Sequence, residues 1–549
     1  MSNALYYGDN LSVLREQFDR ESVDLIYLDP PFNSSANYNV LFKAPDGAQS
    51  DAQLEAFKDT WHWTDEAEEA FDQVMKSGHA DTAEMLRAMR SFLRENDMMA
   101  YLAMMCIRLI ELHRVLKSTG SLYLHCDPTA SHYLKILLDS VFGKENFQNE
   151  IIWKRTSSHN NAKRWAPVHD TLFFYSKTKN YLWKKTFTEF DEEYLKQAYK
   201  HKDDKGYFKT SDLTGAGLRR GDSGMPWKEV DPTSKKRHWA VPREILFQLG
   251  IQETNLTTQE KLDLLEKNGY IFWPEKGSVP LYKKYLDFAS GLPVSDVIAD
   301  ISPLSSQSKE RLGYPTQKPL ALLERIIQAS SEEGDVVLDP FCGCGTAVHA
   351  AEKLNRRWKG IDITHLSISL IEKRLRDAFP GIGFEVHGTP KDMGGAWALA
   401  ERDKYQFQWW AVSLVDAVPY GGKKKGADGG VDGHIYFKPD GKTTEKAIVS
   451  VKGGSNVSVT MIRDLGHVIE REKAKIGVFI TLVRPTDPMV KESLKAGYYE
   501  TPFGKFPRIQ ILTIQELFDG KKPQIPARTS DSFRRAALEV RETQEGWEF

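Results

Sequence analysis

Val23-Asp24-Leu25-Ile26-Tyr27-Leu28-Asp29-Pro30-Pro31-Phe32 and Asp335-Val336-Val337-Leu338-Asp339-Pro340-Phe341-Cys342-Gly343-Cys344-Gly345-Thr346 are the stretches that decide how this chain folds. Each opens as a short, β-rich apolar run, the pattern of a strand buried on both faces. Each then breaks at Asp-Pro, where the chain must leave a sheet. The first break is rigid because of its two prolines. The second runs into Gly343 and Gly345, whose missing Cβ atoms let backbone approach a ligand closely.

The surrounding pattern predicts an α/β domain with a mostly parallel sheet. Strands are expected at residues 23–28, 121–125, 151–153, 171–175, 335–338 and 359–363. Helices are expected at 98–116, ended by a turn at 117–120, and at 133–141, 320–330 and through about residue 378. Residues 50–95 read as an insertion of helices and loops. Residues 180–295 are rich in Lys, Asp, Gly and Trp and show no regular alternation. A linker is expected near 385–398. Beyond it lie a helix near 399–415, strands at 433–437, 446–451 and 476–482, and a helix near 461–474, the order of a smaller α/β domain.

A strand, a glycine turn and a helix N-terminus form a nucleoside site. Asp362 ends the next strand, 23 residues after Asp339, and an acid there can accept bonds from both ribose hydroxyls; roughly 20 residues is the usual spacing. The turn lacks the G-x-G-x-x-G form and the Lys-Ser/Thr ending of phosphate loops. S-adenosylmethionine therefore fits better than NAD or ATP. A plain tight turn is the bland alternative. Cys342 and Cys344 have no second cysteine pair, so they read as packing residues rather than metal ligands.

Asp29-Pro30-Pro31-Phe32 suits a different task. An exocyclic amine on a flat ring is a poor nucleophile because its lone pair is conjugated. Acceptors at both N–H groups pull it toward tetrahedral geometry. The Asp29 carboxylate and the Pro30 carbonyl can be those acceptors, preorganised by the prolines. Phe32 offers a stacking face for an extruded base.

These residues resemble the amino-methyltransferases of bacterial restriction–modification and solitary DNA methylation systems, over roughly residues 1–380. The resemblance makes Asp29, Pro30, Pro31 and Phe32 the catalytic tetrapeptide. It makes Asp339, Phe341, Gly343, Gly345 and Asp362 cofactor residues, with Thr316 and Lys318 of Pro315-Thr316-Gln317-Lys318-Pro319 and Asp9 of Tyr7-Gly8-Asp9. The catalytic segment precedes the cofactor segment, which is the permuted order of the β group. That order implies a Rossmann-like sheet in two parts, 1–177 and 296–384, around a target-recognition region at 178–295. Arg219, Arg220, Lys235, Lys236 and Arg237 become candidate DNA contacts. The acidic Asp29 leans toward adenine N6, with cytosine N4 as the alternative. Cytosine carbon-5 enzymes need a Pro-Cys dipeptide, which is missing from the sequence. Protein-glutamine methyltransferases use Asn-Pro-Pro-Tyr, which Asp29 argues against.

Gly429-Gly430-Val431-Asp432-Gly433 followed by Val449-Ser450-Val451-Lys452 resembles the Mrr-type restriction-endonuclease-like fold, expected over 399–525. The resemblance implies a Mg²⁺ site at Asp432 with Lys452 beside it. Ser450 stands where an acid or amide is expected, and a hydroxyl is a poorer Mg²⁺ ligand. Glu401 is a candidate to compensate. Lys423, Lys424, Lys425 and Lys452 could otherwise hold DNA.

Bulk properties agree with these readings. The chain has 549 residues, 41% hydrophobic and 27% charged, enough for two to four domains. Net charge is −2, so contact with double-stranded DNA must come from local patches. Four cysteines are too few for a disulfide framework and point to a reducing cytoplasm. No signal peptide or membrane partner is expected. A homodimer and a separate restriction partner stay open, as does a single-chain restriction–modification enzyme.

Overall fold

The computed structural model describes residues 2–31, 37–43, 49–58, 62–157, 163–249, 256–275, 279–288, 291–305, 308, 310–312, 314, 316–420, 430–440, 443–502, 504–526, 537–539 and 541. Phe32, Pro315 and Lys423, Lys424 and Lys425 lie outside the described residues. The chain divides into two compact units, Met1–Lys184 with Ser295–Phe549, and Lys185–Val294.

The first unit is built on a nine-stranded sheet. Its strands are β1 (Ala4–Tyr7), β2 (Val23–Leu28), β3 (Leu116–Cys126), β4 (Phe147–Lys154), β5 (His169–Ser176), β6 (Val297–Ile298), β7 (Val336–Asp339), β8 (Arg357–Asp362) and β9 (Glu385–His387). Their order across the sheet is β6-β4-β5-β3-β2-β7-β8-β1-β9. β5 runs antiparallel to both of its neighbours; the other pairings are parallel. β2 and β7 are neighbours, with Leu25 opposite Val337 and Ile26 opposite Leu338. The two Asp-Pro breaks therefore leave the same edge side by side, where open α/β sheets bind ligands.

Both faces of the sheet are covered, which is why β2 and β7 read as unbroken apolar runs. Leu25, Tyr27 and Val337 enter one core with helices α3 (Leu320–Ser330), α4 (Thr346–Lys353) and α5 (His365–Ala378). Ile26, Leu28, Val336 and Leu338 enter the other with α1 (Asn10–Gln17) and α2 (Asp97–Val115). α2 is apolar on nearly every side and is buried accordingly. Among the described residues, no helix is long and apolar enough to cross a membrane.

The local expectations need four corrections. The turn expected at 117–120 is strand, since β3 starts at Leu116 directly after α2. The 50–95 insertion contains a strand, Gln49–Lys58, paired with Asn37–Lys43 in a hairpin ahead of its helices. The linker expected at 385–398 contains β9, which adds to the sheet beside β1. The helix expected at 399–415 is two, α6 (Met393–Arg402) and α7 (Lys404–Ser413). Asp403 separates them, its carboxylate accepting from the N–H groups of Tyr405 and Gln406 as the cap of α7.

The C-terminal part holds a five-stranded sheet in the order β10 (Val418–Pro419), β11 (Gly433–Phe437), β12 (Glu445–Lys452), β13 (Ile476–Thr481), β14 (Ile509–Thr513). One core joins both sheets: Trp358 and Ile371 share it with Phe407, Trp410, Ile435 and Val449. The second unit, lacking alternation in sequence, contains a four-stranded antiparallel sheet. Its core is aromatic, with Phe208, Trp227, Trp239, Tyr270 and Tyr285. Large rings fill a small core with few residues, so the periodic signal is weak.

Candidate active site

A cavity of about 270 Å³ opens at the edge where β2, β7 and β8 end. Asp9, Asp29, Pro30, Pro31, Thr316, Lys318, Asp339, Phe341, Gly343 and Asp362 line it. The two sequence segments thus form one site. Gly345 sits beneath it as the cap of α4, with φ +74°. A Cβ there would lie 2.8 Å from Ile371, so both conformation and space require glycine. At Gly343, with φ +51°, a Cβ would press on Tyr314 at 3.2 Å.

Asp362 is committed partly to the turn itself. One oxygen accepts from the Gly343 N–H at 2.9 Å, and the other from the Thr364 N–H and hydroxyl at 2.8 Å. Asp9 caps α1 through the Ser12 N–H and pairs with Arg108 at 2.5 Å. Arg108 also donates to Asn10, whose amide donates to the Pro340 carbonyl at 2.9 Å. Arg108 and Asn10 were not singled out from sequence. The available signal was an arginine inside the apolar run of α2, which is costly unless partnered.

Lys318 does more than line the cavity. Its ammonium pairs with Asp29 Oδ2, with side-chain exposures of 9% and 16%. Asp29 Oδ1 is buried and accepts no hydrogen bond among the described residues. Buried carboxylate oxygens without donors are rare outside functional sites. Three acids crowd this space. Burial pushes the Asp339 carboxyl up to about 8, and the charges of Asp29 and Asp362 add to the rise while the Phe341 N–H opposes it. Burial also raises Asp362, against the bonds from Thr364 and Gly343. Cys342 and Cys344 are free and buried, and burial raises both thiols, so they pack rather than react.

In the second unit, Arg219 and Arg220 are exposed, with no side-chain bond among the described residues. Lys235 and Lys236 are exposed as well. Arg237 is different: its guanidinium donates to the Thr214 hydroxyl and carbonyl at 2.7 and 2.6 Å and to Asp212 at 3.0 Å. It braces a strand pair rather than facing outward.

In the C-terminal domain, Asp432 is buried. Its Oδ2 accepts from the Val451 N–H at 2.6 Å, and its Oδ1 from the Gln408 amide at 3.0 Å. Ser450 lies across from it on β12 and Lys452 at the strand end. Glu401 is exposed, so the side chain brought to Asp432 is Gln408. Among the described residues, no three His, Cys, Asp or Glu groups could hold a metal. One carboxylate already accepting two bonds, an amide and a hydroxyl do not fit a Mg²⁺ site.

This arrangement, an Asp-Pro-Pro acid and a glycine turn lining one cavity at the edge of an open α/β sheet, is that of a methylase fold. The DNA methylase family pattern matches residues 23–373, and a restriction endonuclease pattern matches residues 399–517. The chain is 30% identical over 377 residues to the type II methyltransferase M.EcaI of Enterobacter cloacae, covering 68% of this chain and 70% of that one. It is 27% identical over 369 residues to the Mod subunit of the type III restriction-modification enzyme StyLTI of Salmonella typhimurium, covering 64% of this chain and 50% of the subunit. Among solved structures, a Thermus thermophilus DNA modification methylase complexed with S-adenosyl-L-methionine aligns over 71% of this chain and 99% of its own, at 16% identity and a TM-score of 0.33. The chain belongs to the N6/N4 family of DNA methylases and carries an Mrr-like endonuclease domain.

Proposed function

We propose that this protein transfers a methyl group from S-adenosylmethionine to the N6 amino group of adenine in double-stranded DNA. The observation that carries the reading is Asp29: a carboxylate with one oxygen on Lys318 and the other buried and unpartnered among the described residues, in the same cavity as the glycine turn. When bound, S-adenosylmethionine supplies an electrophilic sulfonium methyl. The residues present fit it. A Cβ at Gly343 would press on Tyr314, and a cationic ligand in this cavity would favour the ionised forms of Asp339 and Asp362 that burial disfavours. Asp9, Thr316, Phe341 and Asp362 would hold the nucleoside end.

Asp29 Oδ1 would accept one amine N–H and the Pro30 carbonyl the other. Lys318 fixes the carboxylate in place, so no reorganisation is needed when charge develops. The amine nitrogen would bond to the methyl carbon as its bond to sulfur breaks, leaving S-adenosylhomocysteine, and the proton lost from nitrogen would pass by way of Asp29 Oδ1 to solvent. A base inside a duplex cannot reach so enclosed an acid, so the target nucleotide must be extruded. The acidic first residue of the tetrapeptide favours adenine over cytosine. We assign target recognition to Lys185–Val294, with Arg219, Arg220, Lys235 and Lys236 as contacts. No cleavage step is assigned to the C-terminal domain, because its residues do not fit a metal.

The test is single-molecule sequencing of genomic DNA from a methylation-free host expressing the chain or its Asp29→Ala variant. N6-methyladenine in one motif, absent with the variant, is expected. N4-methylcytosine would overturn the base assignment, and unmethylated DNA in both samples would overturn the activity.

A further inference from the structure

Trp165 is 99% exposed. An indole left wholly in water is unusual, and Trp favours surfaces that become buried on binding. Its neighbours Lys163 and Arg164 are exposed and have no bonded partner among the described residues. The three stand together between β4 and β5.

The register fixes where this segment lies. Leu28 pairs with Leu124, Cys126 with Thr171, and Lys154 with His169. The segment therefore leaves the sheet at the edge from which Asp29 emerges. It is two to three strand spacings away, roughly 10–14 Å laterally. Its base is anchored rather than loose. The Arg155 and Thr156 N–H groups donate to the Val168 carbonyl at 2.9 and 3.3 Å. Arg155 pairs with Asp170 at 3.1 Å. Asp170 Oδ2 lies 3.2 Å from His125 Nε2, and His125 Nδ1 lies 2.9 Å from the Tyr27 hydroxyl. Tyr27 lines the catalytic cavity. A polar chain, buried from Tyr27 through His125 to Asp170 and ending on the half-exposed Arg155, thus runs from the cavity wall to the foot of the exposed indole.

We propose that Trp165 is a duplex-inserting residue: its indole enters the base stack beside the extruded target nucleotide, with Lys163 and Arg164 on flanking phosphates. The inference rests on the DNA-methylation reading above. An apolar ring can occupy the space a departed base leaves, and the two cations match the phosphate charge on either side.

The experiment uses a duplex carrying the sequenced motif with 2-aminopurine at the target position, which brightens when the base leaves the stack. The full chain, Trp165→Ala and Trp165→Phe are compared with S-adenosylmethionine present. Trp165→Ala is expected to bind roughly 5- to 150-fold more weakly, the range for losing one aromatic–base stack, and to lose most of the signal at saturation. Trp165→Phe should recover a large part. Its full exposure means the substitution leaves folding intact, which thermal unfolding checks. An alanine variant that binds and brightens like the parent overturns the proposal. Weaker binding with full brightening at saturation overturns it too, placing the ring on the backbone instead. A parent chain that methylates the motif without brightening would overturn base extrusion, and insertion with it; one that methylates no DNA would overturn the function itself.

Discussion

Replacing Lys318 with methionine removes one charge and keeps the length of the side chain. The pair it breaks with Asp29 is buried on both sides. At an effective dielectric of about 20, unit charges about 4 Å apart attract by about 4 kcal/mol. Deleting one member of a buried pair costs about 3–5 kcal/mol. The loss falls on Asp29, the group proposed to grip the target amine, so on that reading it should appear in turnover. Removing one preorganised electrostatic contact lowers kcat by about 10²–10³, and that is the expected drop. Cofactor affinity should hold or tighten, because a positive charge leaves the cavity proposed to take a sulfonium. Tritiated methyl transfer to motif-bearing duplex at saturating cofactor gives kcat, and titration calorimetry gives Kd. Lys318→Arg restores charge but with a planar fork, so it should recover turnover only in part. The reasoning is refuted if Lys318→Met raises the cofactor Kd about tenfold, or 1.4 kcal/mol, while kcat stays near normal. Lys318 would then be a cofactor contact and its pairing with Asp29 incidental.

Three more outcomes follow from the geometry. Asp339 ionises near 8 in the folded protein against about 3.9 in an unfolded chain; the native state therefore holds an extra proton between those values, and this group's contribution to stability is lost as pH rises through about 8. Urea unfolding at pH 5 and pH 8 should show a shallower pH dependence for Asp339→Asn than for the parent. Gly345→Ala forces a side chain into the left-handed region and against Ile371, so it should cost at least about 1–2 kcal/mol in chemical unfolding. Arg219→Ala or Arg220→Ala should weaken DNA binding and lower the salt slope by about one each, whereas Arg237→Ala should lower the melting temperature instead, because Arg237 holds Thr214 and Asp212.

Much of the site was legible in sequence because its chemistry is local. Asp29 through Pro31 and Asp339 through Gly345 are contiguous, and their proline and glycine constraints act within a few residues. The apolar runs before them announced a two-faced parallel sheet for the same reason: a strand covered on both sides cannot alternate. What resisted reading was pairing across distance. β9 is three residues long and reads as linker until β1 supplies its partner. Pro45-Asp46-Gly47 between Asn37–Lys43 and Gln49–Lys58 is a turn signal, but the second strand is rich in Gln, Asp, Glu, Ala and Lys and carries little β-forming pattern of its own. The second unit hid its sheet because scattered aromatic rings, not a period of two, fill its core.

The chain by itself determined the chemistry class: an acid held by prolines, a glycine turn, and the order of the two. Only the tertiary structure decided which charges meet. Lys318 is 289 residues from Asp29 and Arg108 is 99 from Asp9. Gln408, not Glu401, reaches Asp432. Arg237 is held by Thr214 and Asp212 while Arg219 and Arg220 stay exposed. Trp165 stands in water at the sheet edge from which Asp29 emerges. The reason is physical: local backbone preference is written in neighbouring residues, whereas burial, ion pairing and exposure are properties of surfaces that exist only once distant segments have packed.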